Sequence, residues 1–145
     1  MGEVNAVFGT EVVKYNGSEY KLPRPTLETE CIFETWLEDI ALDKIQRRRF
    51  KMGEDTYRTA LSIWEKDCAA GEYSWGSPTS EKATRNPNHG FKQLIMLMMR
   101  QEDQSVTMEV VQKIVETDLD QLVTKFNKVM SETPTIPPSN SGANS

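Results

Sequence analysis

Residues Val12 to Thr26 read VVKYNGSEYKLPRPT, and this stretch decides how the rest of the chain must be arranged. Asn16-Gly17 supplies two adjacent positions that tolerate positive φ. That is what a type I′ turn requires, and its twist matches two antiparallel strands. Counting outward pairs Tyr15 with Ser18, Lys14 with Glu19 and Val13 with Tyr20. Side chains alternate along a strand, so Val13, Tyr15, Tyr20 and Leu22 share one face while Lys14, Glu19 and Lys21 share the other. A two-stranded hairpin is marginal alone in water. Its apolar face must lie on helices of the same chain or on another subunit, and its free edges are candidate docking edges for strand addition.

Downstream of the hairpin the pattern is helical. Pro23 and Pro25 end the second strand, because proline lacks the ladder donor and holds its predecessor extended. Thr26 is the expected N-cap of a long helix, with Glu28 and Glu30 where the helix dipole favours negative charge. Its apolar stripe runs through Ile32, Phe33, Trp36, Leu37, Ile40, Ala41 and Ile45 to about Phe50. After Gly53, Asp55 or Thr56 caps a second helix that carries Tyr57, Ala60, Leu61, Trp64 and Cys68 on one face, and Gly71 stops it.

Gly71 to Gly90, punctuated by glycine and proline, reads as a long loop of the kind that is often functional. Phe91 to Met99 is apolar on nearly every side of a helix, which implies a buried central segment or a helix pinched between subunits. Thr107 and Glu109 open another helix, and Asp118 recaps a last one through Leu119, Leu122, Val123, Phe126 and Val129. Ser131 to Ser145 is poor in apolar residues and rich in Pro, Ser and Asn, the composition of a disordered tail. The expected fold is mainly α: an N-terminal β-hairpin at residues 11–22, then a bundle of about four to five helices forming one domain over residues 1–130, and a disordered C-terminal tail at 131–145.

The chain has 145 residues, of which 37% are apolar and 27% charged, with a net charge of −5. One domain with a modest core fits this length. The acidic balance disfavours nucleic acid, since phosphate neutralisation needs a surplus of Lys and Arg. The N-terminal sequence lacks a basic region followed by a long apolar run, and the longest apolar run, Leu94 to Met99, is too short to span a bilayer. A cytoplasmic protein with no membrane partner is the expectation. Cys31 and Cys68 lack metal-site spacing and read as two buried small hydrophobes.

No constellation of side chains announces catalysis. His89 sits in a Pro-Asn-His-Gly turn with no nucleophile nearby in sequence. The acidic pairs Glu38-Asp39, Glu54-Asp55 and Asp118/Asp120 lie where caps and solvated helix faces place acids. No P-loop, GxGxxG, GxSxG or calcium-loop motif is present. An enzyme is not expected, nor a cofactor or metal.

Contact residues are the better candidates. Arg47, Arg48 and Arg49 fan out around a helix end, where they suit the dipole or, alternatively, a partner or phosphate. Tyr73 and Trp75 either anchor the Gly71 to Gly90 segment to the helical body or present rigid rings to a protein partner. Met96, Met98 and Met99 are adaptable apolar residues suited to a client groove. With the hairpin residues Val13, Tyr15, Tyr20 and Leu22, these form the candidate partner-binding set.

The order of features resembles the tail assembly chaperones of long-tailed bacteriophages. A G-x-x-Y-x-L hairpin strand corresponds to Gly17 to Leu22, a threonine that starts a helix to Thr26, and the step after an apolar helix to QSVTMEV from Gln104 to Val110. The resemblance spans most of residues 11 to 130. It implies a largely helical, non-enzymatic protein in the host cell cytoplasm that binds the tape measure protein, keeps it soluble and helps recruit tail tube subunits. Such a protein is absent from the mature virion and is often made in a short and a frameshift-extended form. For this chain a homo-oligomer is a further expected partner. The alternatives are a permanent tail or neck component of the virion and a small helical regulator contacting nucleic acid through Arg47 to Arg49.

Overall fold

The computed structural model describes residues 9–131, so all of the expected tail except Ser131 lies outside the described residues. Within them the chain is mainly helical, with one two-stranded antiparallel sheet. The strands are β1, Thr10–Tyr15, and β2, Ser18–Pro23. The helices are α1 (Leu27–Arg47), α2 (Glu54–Ala69), α3 (Pro78–Thr84), α4 (Gly90–Arg100) and α5 (Met108–Ser131), with a 3-10 turn at Arg49–Lys51. The contacts gather into two compact units where one domain is the sequence expectation. One unit joins residues 9–24 to residues 98–131, and the other is the continuous segment Pro25–Leu97.

In the first unit the hairpin closes as its turn residues demand. Asn16 and Gly17 have φ of 51° and 79°. The register runs Tyr15 to Ser18, Lys14 to Glu19 and Val13 to Tyr20, and continues to Thr10 opposite Pro23. α5 packs on both strands. Val13 and Leu22 are fully buried while Lys14, Glu19 and Lys21 are exposed, which is the predicted division of faces.

Thr107 caps α5 as expected, its Oγ1 accepting the Val110 N–H at 3.3 Å. At Asp118 the backbone leaves the helical region (φ −151°, ψ 55°), and the Asp118 carboxylate accepts the Gln121 N–H at 3.3 Å. Residues 108–131 are therefore two helical runs joined at a kink, the second recapped by Asp118. At the far end, Arg24 donates to the carbonyls of Val129 at 3.0 Å and Met130 at 3.2 Å. A cation there satisfies acceptors that the helix itself cannot and complements its dipole.

In the second unit Thr26 caps α1, accepting the Thr29 N–H at 3.1 Å, with Glu28 and Glu30 in the first turn. Only Thr29, Phe33 and Leu37 of α1 are buried. The expected stripe is narrower than its sequence suggests: Ile32 is 46% exposed, and Phe50, beyond the helix in the 3-10 turn, is 98% exposed. α2 starts at Glu54 after Gly53, whose φ of 50° favours glycine, so neither Asp55 nor Thr56 is its cap. Its C-terminus is a Schellman motif: Gly71 has φ 82°, its N–H donates to Cys68 O at 3.2 Å, and Glu72 N–H donates to Asp67 O at 2.9 Å.

The segment from Gly71 to Gly90 is not simply a loop, because it contains α3. Ser77 accepts the Ser80 N–H at 3.1 Å, and Pro78 occupies the first turn, where its missing donor costs nothing. α3 and the start of α4 approach so closely that a Cβ built on Gly90 would overlap the backbone carbonyl of Ala83. Backbone cannot move aside as a flexible side chain can. Gly90→Ala is therefore expected to lower the unfolding free energy by about 2 kcal/mol or more, read from urea denaturation; an unchanged midpoint would show that the two segments can separate at little cost.

Candidate interaction surface

The hairpin's two edges differ. On β1, the Gln121 side-chain amide of α5 lies against Lys14, its Oε1 accepting the Lys14 N–H at 2.7 Å and its Nε2 donating to the Lys14 carbonyl at 2.9 Å. A primary amide in this position imitates one residue of a neighbouring strand and covers the edge at Lys14. Asp118 Oδ2 accepts a further bond from Gln121 Nε2 at 3.0 Å, which holds the amide in place. Glu11, on the buried face opposite Leu22, meets Lys125 at 3.3 Å and Lys128 at 3.4 Å, so α5 grips β1 at two heights.

Among the described residues β2 has no such cover. Its outer edge, at Glu19, Tyr20 and Lys21, borders a groove of about 270 Å³ whose other wall is Met99, Glu102, Asp103 and Val106. The groove mixes apolar surface with a surplus of acid. Ser105 donates to the Asp103 carboxylate through its hydroxyl at 2.6 Å and its N–H at 3.0 Å, which holds Asp103 below the usual carboxylate range.

The candidate partner residues named from sequence are scattered. Val13, Leu22, Met98 and Met99 are buried in the first unit and Met96 is buried in the second, so none offers surface to a partner. The methionines are core because α4 is apolar on most sides and the folded chain encloses it. Tyr15 and Tyr20 remain half-exposed. Arg47 pairs with Asp43 at 2.8 Å one helical turn back, Arg49 reaches Glu54 at 3.4 Å and lies 4.6 Å over the Tyr57 ring, and Arg48 is exposed. Two of the three arginines thus have partners within the chain.

Trp75 is an anchor. Its ring meets Phe33 edge-on at 5.8 Å and its backbone N–H donates to the Glu34 carboxylate at 2.6 Å. Phe33 also stacks on Trp36 at 5.6 Å, and Trp36 on His89 at 5.1 Å, so the sole histidine packs within an aromatic cluster. Tyr73 is half-buried, and burial, followed by Asp67, pushes its phenol up. The cysteines are not the buried pair expected: Cys31 is exposed and Cys68 half-buried. Burial and then the nearby Glu38 carboxylate raise the Cys68 thiol. Among the described residues no group of three or more His, Cys, Asp or Glu could hold a metal ion, and no helix is long and apolar enough to cross a membrane.

Compared with family models, curated proteins and solved structures, the chain finds no match in any of the three.

Three measurements probe this geometry. Gln121→Ala should cost about 1–2 kcal/mol, the net worth of its two edge bonds, in chemical denaturation. Raised groups contribute stability fully present below their ordinary values, near 9.0 for Cys68 and 10.0 for Tyr73, and lost as pH rises through the shifted ones. Urea midpoints should accordingly fall on the alkaline side of the ordinary thiol value, less steeply in Cys68→Ala, and Cys31 should alkylate before Cys68; equal rates would contradict the assigned surroundings.

Proposed function

We propose that this chain is a tail assembly chaperone of a long-tailed bacteriophage, which binds the tape measure protein, keeps it soluble and helps recruit tail tube subunits without catalysing a reaction. The observation that carries the reading is the order of its signals. The hairpin at Gly17 to Leu22, the Thr26 cap, an apolar helix and the QSVTMEV step at Thr107 follow one another as in that family, and each coincides with a real turn, cap or helix boundary.

The buried methionines move the client contact elsewhere in this reading. Phe50, 98% exposed in the turn after α1, is an aromatic ring held in water, and such rings serve as anchors in protein contacts. Leu27, 75% exposed at the start of α1, adds apolar surface to the same unit. A long helical client would bury such residues in exchange for its own apolar face.

The uncovered β2 edge favours a second reading, a permanent virion component whose hairpin joins a neighbour's sheet. Mass spectrometry of purified particles separates the two, because a chaperone is absent and a structural part is stoichiometric.

Coexpression with a candidate tape measure protein is expected to raise that protein's soluble fraction and to yield a complex. Neither effect appearing would sink the proposal. Phe50→Ser should leave the fold's stability within about 0.5 kcal/mol, as surface changes usually do, while lowering the amount of client held in solution; unchanged client yield would remove Phe50 from the contact.

A further inference from the structure

We propose that two copies of this chain pair through β2, antiparallel and edge to edge, about a two-fold axis at Tyr20. The argument starts from which backbone groups are free. Gln121 takes both the N–H and the carbonyl of Lys14, so these point away from β2. Lys14 and Glu19 are therefore a pair without mutual backbone bonds, and the alternation of an antiparallel ladder puts Val12 with Lys21, and Thr10 with Pro23, in the same class. Glu19 and Lys21 consequently aim their N–H and carbonyl groups outward. Among the described residues the sheet has two strands only, and nothing bonds to those groups.

The side chains at this edge are complementary to themselves. When β2 meets a second β2 about an axis at Tyr20, Glu19 of each copy falls opposite Lys21 of the other. Each such pair exchanges its outward backbone bonds and places opposite charges side by side. A two-residue slip either way puts Glu19 against Glu19 or Lys21 against Lys21. A one-residue slip turns the two strands' faces against each other. Charge thus selects the register.

On the opposite face the Tyr20 rings meet across the axis, in the class of pair where side chains come closest. There the groove of about 270 Å³, whose far wall exposes Glu102 and Asp103 over the buried Met99 and Val106, lies beside the β2 edge and can receive the incoming ring. The pairing is bounded at both ends. The Asn16-Gly17 turn stops it on one side, and Pro23 has no donor to extend it on the other. Gln121 occupies the β1 edge at Lys14, so a further strand cannot pair along the whole of β1, which favours a dimer over a fibre.

Short strands bury little area, so dissociation constants in the micromolar range or weaker are expected. The test is sedimentation of the full chain over a concentration series, with the variants Glu19→Lys and Lys21→Glu. Wild type should form dimers and no larger species. Each variant alone faces like charges and should associate about tenfold or more weakly, whereas an equimolar mixture of the two again sets Glu opposite Lys and should recover dimers near wild-type strength. Recovery on mixing also shows that both variants are folded. A wild type that stays monomeric, variants that associate as well as wild type, or a mixture no stronger than its components would each overturn the proposal. The experiment contains no client, so its failure is distinct from failure of the chaperone reading.

Discussion

A two-stranded ribbon has no stability to spare, and the unit that contains it depends on α5 covering Val13 and Leu22. Full burial of an aliphatic side chain is worth about 1.5–3 kcal/mol, more than the roughly 1 kcal/mol of a net hydrogen bond or partly screened ion pair. Apolar burial therefore holds the hairpin down, and the polar contacts decide where it sits. Gln121 reaches Lys14 across 107 residues of chain and Lys125 reaches Glu11 across 114, both on β1. Among the described residues the same contacts leave β2 uncovered, which gives the ribbon one edge covered at Lys14 and one open edge.

What could be read in advance follows the distance over which each feature is determined. The turn, the register and the division of faces depend on neighbouring residues and were legible from Asn16-Gly17 outward. So were the Thr26 and Thr107 caps and the recapping at Asp118, each a local competition between side chain and backbone. The edge clamp was not legible. Gln121 looks like any polar helix residue, and nothing near Glu11 says that its partners come from the other end of the chain. α3 was missed for a different reason: Ser77-Pro78 is a helix-start signal, but Gly71, Gly76 and Pro87 around it suggest a loop. The methionines illustrate the limit of periodicity, since an all-apolar helix reads alike whether it fills a core or an interface.

The surface inherits these outcomes. Of the candidate contact residues, the buried ones became core, and Arg47, Arg49 and Trp75 acquired partners within the chain. The surface left to solvent includes the aromatic ring of Phe50 and a short polar strand edge beside an acidic groove. Two such sites of different chemistry suit a protein that works through contacts, one able to take an apolar helix and the other an extended chain.

The division of the chain also has a consequence for its synthesis. Residues 25–97 form a continuous unit whose segments are complete before α5 has been made, whereas the hairpin leaves the ribosome ahead of that unit and must wait for α5, which follows it. Until residues near Leu122 and Val129 emerge, Val13 and Leu22 stay wet, and both ribbon edges are open. Closing so long a loop is slow relative to local helix formation. A nascent chain that stalls before Asp118 therefore carries an unshielded strand, and Gln121, once made, acts as a late safeguard against indiscriminate strand pairing.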